Sequence, residues 1–324
     1  MKQIVIKTGL LPLLQMCLCS IAASCIYDYD NCSDAMYLTI DSKWVNVPNA
    51  SCEGVAYIFF PADGSVPWRF DFQGKDGGQV LLPVGEYSFI SHNDDGTREI
   101  FSEPVSYNGY EVYTASAQLP TCNVSAETEG ENVVTPPDAL YGSVSSRVSL
   151  CTEGVSYIAT ESESVLTFSP DFVMTVYQRP LTAHYKYRIE KVENMQSVRS
   201  MSASLSGMAG SLFIATGEKG HYPVTLYLRA APASTDVIDG EFYTFGIPSS
   251  PDVANILTLY AVLNNGRKFC YKFDVTEQIR HAANPMDVLL TVGGIEFERP
   301  EEGEGAGFNV EVDDWTTVVV NIND

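Results

Sequence analysis

Short runs of β-branched and aromatic residues, separated by clusters of Gly, Pro, Asn and Asp, repeat along this chain from Met36 onward. Such runs are typical of β-strands, and the clusters between them are typical of turns. Stretches with the 3.6-residue period of a helix are nearly absent, and the best candidate is the short segment 276–281. The sequence therefore predicts an all-β fold.

The runs fall into two sets. In the first half they predict strands over residues 37–40, 55–60, 68–72, 80–82, 87–92, 99–101 and 112–115. In the second half they predict strands over residues 165–177, 185–192, 200–205, 212–215, 224–228, 242–245, 257–263, 268–275 and 288–292. Asn264-Asn265-Gly266 separates two of these runs, and because Asn and Gly tolerate positive φ it predicts a tight hairpin.

The two sets of strands also predict two domains. At 324 residues the chain is long enough for two hydrophobic cores. Residues 118–139 form a long acidic connection with few large apolar side chains. We therefore expect an N-terminal β-sandwich over residues 36–150, which includes the loop 118–139, and a C-terminal β-sandwich over residues 151–324.

The N-terminus has the pattern of an export signal. Lys2 and Lys7 precede a short apolar stretch, and small residues lead directly into Cys25. This pattern predicts a lipoprotein signal peptide over residues 1–24, with Cys25 lipidated as the first mature residue. Ala22 stands where leucine is usual, so ordinary secretion and an uncleaved anchor remain the alternatives. Residues 25–35, with three aspartates, then form an acidic tether.

Charge and cysteine content limit the partners. The formal net charge of −22 makes nucleic acid an unsuitable partner, because an acidic surface repels phosphate backbones. In an exported chain the remaining cysteines can form disulfides, and the plausible pairs are Cys32 with Cys52 and Cys122 with Cys151. Cys270 lies in the middle of a strand, where we expect a buried side chain. The sequence alone does not fix the connectivity.

The last part of the chain is a strand-forming segment behind an acidic, glycine-rich linker. Residues 308–322 favour an extended strand, whose apolar positions are Phe308, Val310, Val312, Trp315, Val318, Val320 and Ile322. This segment either folds back as the last strand of the second domain or is donated to the open sheet edge of a neighbouring subunit.

No pattern of catalytic or metal-binding residues stands out. The four histidines lie in separate segments, and none has the spacing of a metal site. Asp94 and Asp95 lie in a predicted turn, and residues 206–211 lack the Lys-Ser or Lys-Thr of a phosphate-binding loop. We therefore expect no enzymatic activity, no cofactor and no metal ion.

Several segments together resemble a known family. They are Cys25, Phe-Phe-Pro-Ala-Asp-Gly at 59–64, Arg-Phe-Asp-Phe-Gln-Gly-Lys-Asp-Gly-Gly at 69–78, Leu-Pro-Val-Gly-Glu-Tyr at 82–87, Leu-Ser-Gly-Met-Ala-Gly-Ser at 205–211, Gly-Glu-Phe-Tyr-Thr-Phe-Gly at 240–246, Phe-Asp-Val-Thr-Glu-Gln at 273–278 and Val-Asp-Asp-Trp at 312–315. In combination they resemble a Bacteroidales lipoprotein family of unknown function, which is similar to the FimB-like fimbrial anchors and fimbrillins.

This resemblance implies a fold, a location and a role. The fold would be two tandem transthyretin-like, or fimbrillin-like, β-sandwich domains. The location would be the outer membrane, where acyl chains such as palmitate on Cys25 hold a surface-exposed protein. The role would be a fimbrial anchor or accessory subunit in adhesion or pilus assembly. The alternative is a glycan- or peptide-binding surface lipoprotein that uses Trp44, Trp68 or Trp315 on an exposed face.

Overall fold

The computed structural model describes residues 34–119, 132–158, 165–232, 234–249, 253–299 and 315–320. Over these residues the chain is almost entirely β-structure, as predicted. The one α-helix among them, α1 (Thr276–Arg280), confirms the helix predicted over residues 276–281.

The strands are numbered here in chain order. Up to residue 180 they are β1 (Ala35–Lys43), β2 (Gly54–Pro61), β3 (Trp68–Gln73), β4 (Gly77–Pro83), β5 (Gly85–Asn93), β6 (Glu99–Phe101), β7 (Glu111–Thr114), β8 (Asn132–Val134), β9 (Tyr141–Cys151), β10 (Gly154–Ile158), β11 (Leu166–Ser169), β12 (Val173–Tyr177) and β13 (Arg179–Pro180). Beyond it they are β14 (Ala183–Glu193), β15 (Val198–Ala209), β16 (Ser211–Phe213), β17 (Pro223–Arg229), β18 (Ala231–Pro232), β19 (Ile238–Thr244), β20 (Ile256–Leu263), β21 (Lys268–Asp274), β22 (Asp287–Glu296) and β23 (Trp315–Val319).

The first part of the chain forms a β-sandwich. A three-stranded sheet in the order β12-β1-β4 faces a seven-stranded sheet in the order β11-β10-β9-β5-β2-β3, to which β13 adds beside β9. Alternate residues of the strands point into the space between the sheets. The core there includes Leu38, Ile40, Tyr57, Phe59, Val80, Phe89, Val148, Met174 and Val176.

The second part forms another sandwich. Its sheets run β18-β19-β14-β22 and β23-β21-β20-β15-β17-β8. The side chains buried between them include Tyr185, Tyr187, Ile189, Leu205, Leu226, Leu257, Leu259, Phe273, Leu290 and Val292. In each sandwich, strands far apart in sequence pair in parallel: β1 with β12, and β14 with β22.

Strands from the first part also complete sheets of the second. β7 pairs with β16 in the three-stranded sheet β16-β7-β6, and β8 adds in parallel to β17. Beneath this junction lies a third apolar cluster of Ile58, Phe60, Ile90, Tyr110, Val112, Leu140, Leu181, Ala209, Leu212, Ile214 and Phe245. Strand pairing and a shared core both cross the junction, so the two sandwiches are packed together rather than joined by a linker alone.

The strand pairing places the boundary between the two sandwiches later in the chain than expected. A division at residues 150 and 151 would cut the end of β9, which forms a hairpin with β10. Every strand from β9 to β13 belongs to the first sandwich, so the division falls after Pro180. No strand was predicted at β9, because its segment carries four serines and only a few large apolar residues.

Two further segments differ from their predictions. The run predicted over residues 165–177 is two strands in different sheets, broken at Pro170 and at Phe172, whose φ is 55°. Residues 206–209, predicted as part of a loop, continue β15 through a bulge at Gly207, whose φ is 73°. The Asn255 side chain holds this bulge by donating hydrogen bonds to the carbonyls of Ser206 and Gly207.

Candidate functional site

The edge of the six-stranded sheet is formed by β21 and the C-terminal strand β23. The predicted hairpin is confirmed, since β20 and β21 pair antiparallel across Asn264-Asn265-Gly266 and Gly266 has a φ of 85°. On its other side β21 pairs in parallel with β23, from Lys268 opposite Trp315 to Lys272 opposite Val319. The Val320 amide donates a further hydrogen bond of 3.0 Å to the Lys272 carbonyl.

The strand β23 contacts the rest of the protein through a short strand pairing and a few side chains. Val318 and Val320 pack against the second core, and the Trp315 ring meets the Tyr260 ring edge-on with centroids 5.7 Å apart. Thr316, Thr317 and Val319 are exposed. A parallel edge pairing is slightly weaker per residue than an antiparallel one, and here it is only five residues long. β23 is therefore held to the sandwich by this one short edge pairing and by the packing of three side chains.

Positive charge surrounds this edge in an otherwise acidic protein. Lys268 and Lys272 lie on β21, and Arg267 precedes it, with its guanidinium 5.3 Å above the Phe269 ring and paired with Glu298. Burial, together with the Glu298 charge, raises the pKa of Tyr271 to about 12, so its hydroxyl stays neutral. These positively charged side chains favour an acidic segment beside the edge. The linker that precedes β23 in the sequence is acidic.

The structure brings together only part of the predicted strand segment. Trp315, Val318 and Val320 lie on or beside β21, and the core-facing positions are Val318 and Val320. Phe308, Val310, Val312 and Ile322 lie outside the described residues, as do the predicted lipidation site Cys25 and the signal peptide. Within the described ranges, no helix is both long and apolar enough to span a membrane.

Two cysteines of the expected pairs lie among the described residues. Cys52 and Cys151 have free thiols, while their expected partners Cys32 and Cys122 lie outside the described residues. Each thiol donates to a carbonyl at a tight turn, Cys52 to Gly54 and Cys151 to Gly154. Burial raises the pKa of the Cys52 thiol, which makes it unreactive. Cys270 is fully buried, as expected, but it is disulfide-bonded.

The tryptophans do not form a common binding face. Trp44 is partly buried against the first core and donates to the Lys75 carbonyl, while Trp315 packs on Tyr260 in the second sandwich. Trp68, on the edge strand β3, is 42% exposed. Trp44 follows β1, whereas Trp68 and Trp315 lie on edge strands of two different sheets, so the three rings offer no stacked platform for a glycan.

The acidic turn after β5 has a structural role. The Asp94 carboxylate accepts from Arg69 at 2.6 Å, and the Asp95 carboxylate accepts from the Glu53 amide at 2.8 Å. Both groups are therefore engaged in holding the loop. Among the described residues, no group of three or more His, Cys, Asp or Glu side chains is arranged to hold a metal ion.

Comparison with known proteins agrees with this fold. A protein from Bacteroides ovatus ATCC 8483 named "Putative fimbrium anchoring subunit Fim4B" is 30% identical over 103 residues, a match that spans 32% of this chain and 29% of that relative. A "putative adhesin" structure from the same strain superposes with a TM-score of 0.58 at 19% identity, covering 88% of this chain and 93% of that one. A second "putative adhesin" from Bacteroides ovatus reaches 0.50 at 10% identity, over 80% and 88%.

These structural neighbours establish the kind of β-fold. The family described as "Domain of unknown function (DUF5119)" matches residues 23–229, which include the first sandwich and the strands that join it to the second. Because this match spans well over half of the chain, the chain belongs to the DUF5119 family.

Proposed function

We propose that this chain is a non-enzymatic cell-surface lipoprotein that anchors or accompanies a fimbria, and that it holds a fimbrial subunit by donating its C-terminal strand. The observation that carries the proposal is the position of β23. It is a short, parallel, half-exposed edge strand with β-branched residues, and it follows a long acidic linker. Such a strand can complete the open edge of another sheet through main-chain hydrogen bonds.

The rest of the molecule suits a part that bears load. The junction between the sandwiches combines two inter-half strand pairings with a buried apolar cluster, so force can pass between the halves without bending a linker. Lipidation of Cys25 would hold the N-terminal end at the outer membrane, because stable anchoring needs at least two acyl chains or signals. The partial match to a relative named as a fimbrium anchoring subunit supports the same role.

Strand donation makes a face-specific prediction for two adjacent valines. Val318 faces the core, whereas Val319 faces outward and is 71% exposed. A donated strand buries the same alternate side chains in the partner sheet, because the side-chain period of a strand is two. Val318→Asp would place a carboxylate in an apolar groove, and Val319→Asp would place it in water.

The test is to express both variants and the unaltered chain in the native host and to follow heat-resistant complexes on denaturing gels. We expect the complexes to disappear with Val318→Asp and to persist with Val319→Asp. Equal complexes in both variants would show that β23 is not the strand that pairs with the partner. Thermal unfolding of each purified variant checks that the sandwich itself stays folded.

A further inference from the structure

The second sandwich has another sheet edge, at β22, which differs from the β21 edge. β22 is ten residues long, the longest edge strand in the part of the chain that the structure describes. It pairs in parallel with β14 on one side only. Leu289, the third residue of the strand, is 58% exposed. A long edge with exposed apolar residues is a template on which another chain can add a strand.

One side chain already occupies the open side of this strand. The Thr291 amide donates to the Gln278 side-chain oxygen at 2.8 Å, and the Gln278 side-chain nitrogen donates to the Thr291 carbonyl at 2.9 Å. These two bonds are the pair that a residue of a neighbouring strand would exchange with Thr291. The primary amide of Gln278 therefore takes the place of a peptide group on β22.

The short helix α1 sets Gln278 in this position. Ile279 and Thr276 are buried, and the Asp274 carboxylate accepts a hydrogen bond from the Thr276 amide. These contacts fix the rotation of α1, so Gln278 points at β22 while Glu277 stays in solvent and pairs with His281. Adjacent residues of a strand point their backbone groups to opposite sides. Leu289 and Gly293 thus share the open side with Thr291, and Gln278 blocks its centre.

We propose that Gln278 is a specificity-determining residue that closes the β22 edge and so prevents a second copy of this chain from adding there. With Gln278 removed, two β22 strands can pair antiparallel about a two-fold axis through Thr291, with Leu289 of each copy opposite Gly293 of the other. The closure of β22 would restrict strand addition to the β21 edge. This restriction rests on the proposed function, whereas the closure of β22 itself does not. Purified protein without any fimbrial partner therefore tests the closure independently.

The experiment compares Gln278→Ala with Glu277→Ala, a solvent-exposed control on the same helix. Amide hydrogen exchange reports the blocked position directly. We expect exchange of the Thr291 amide to accelerate about tenfold in Gln278→Ala, the effect of one lost hydrogen bond of about 1.4 kcal/mol. The amides of Leu290 and Val292, which point toward β14, should keep their wild-type rates.

Sedimentation velocity then gives the oligomeric state, at high salt because the acidic chains repel one another. We expect Gln278→Ala to form dimers as its concentration rises, while wild type and Glu277→Ala stay monomeric. Adding Leu289→Lys to Gln278→Ala should restore the monomer, since an edge lysine opposes strand addition.

A Gln278→Ala protein that stays monomeric while its Thr291 amide exchanges rapidly would overturn the proposal. So would dimers that persist with Leu289→Lys. If Gln278→Ala does not fold, Gln278→Glu replaces it, because a glutamate side chain cannot donate to the Thr291 carbonyl. The same amide-exchange and sedimentation results then support or overturn the proposal.

Discussion

His92 couples the stability of the junction between the sandwiches to pH. It is fully buried, its ring stacks on Phe101 with centroids 4.0 Å apart, and Nδ1 lies 2.9 Å from the Asn93 carbonyl. A carbonyl only accepts, so Nδ1 carries the proton and Nε2 accepts from the Tyr110 hydroxyl at 3.0 Å. Burial lowers the pKa of His92 from 6.5 to about 4, against the smaller opposing effects of the Asn93 carbonyl and Asp94.

The sign and size of the effect follow from the two pKa values. Above about pH 6.5 the ring is neutral in both the folded and the unfolded chain, so it adds no pH dependence. As the pH falls from 6.5 toward 4, the unfolded chain binds a proton that the folded chain excludes, and the free energy of unfolding falls. At about pH 5 the loss is about 2 kcal/mol, and below about pH 4 it levels off at about 3 kcal/mol.

The assay is urea denaturation of wild type and His92→Gln at about pH 7 and about pH 5. A glutamine keeps a donor and an acceptor but does not titrate. We expect wild type to lose about 2 kcal/mol more than His92→Gln between the two pH values. His281→Gln is the control, because His281 is exposed and paired only with Glu277. Equal losses in wild type and His92→Gln would refute the assignment of this pH dependence to His92.

Three further predictions concern other buried groups. Gln178→Ala should lower the free energy of unfolding by about 2–3 kcal/mol in urea denaturation, because Gln178 is fully buried and bridges Ser42 and Ser91 between the two sheets of the first sandwich; an unchanged value would contradict this. Gly207→Ala should cost about 2 kcal/mol more than Gly266→Ala in thermal unfolding: both have positive φ, but only at Gly207 would a Cβ meet the Ala254 carbonyl and the Asn255 amide. In peptide mapping after unfolding in an alkylating reagent, Cys52 and Cys151 should be labelled without reductant and Cys270 only after reduction; a labelled Cys270 without reductant would contradict the disulfide.

Local patterns in the sequence predicted much of this fold. The hairpin at Asn264-Asn265-Gly266 and the helix α1 depend on neighbouring residues alone, and both are confirmed. Turn chemistry and period-two patterning act over a few residues, so a single sequence reveals them. The serine-rich β9 lacks such a pattern and gains its stability from β5 and β10 on either side. Its assignment to the first sandwich therefore needed the structure.

The candidate site depends on contacts that no local pattern specifies. The β-branched residues after Trp315 predicted a strand, but not that it pairs in parallel with β21. Two hydrogen bonds between Gln278 and Thr291 join a helix to a strand edge, and no sequence pattern in either segment predicts them. Spacing along the chain likewise says little about which cysteines the sheets bring together, and the disulfide bond of Cys270 was not predicted.

A pull-down from intact cells would show whether this chain anchors fimbrial subunits at the cell surface. Tagged full-length protein is compared with the Cys25→Ala variant, and bound proteins are identified by mass spectrometry. We expect β-rich fimbrial subunits in heat-resistant complexes with the full-length protein, and loss of membrane attachment with Cys25→Ala. Recovery of the full-length protein alone, or with an outer-membrane transporter, would contradict it.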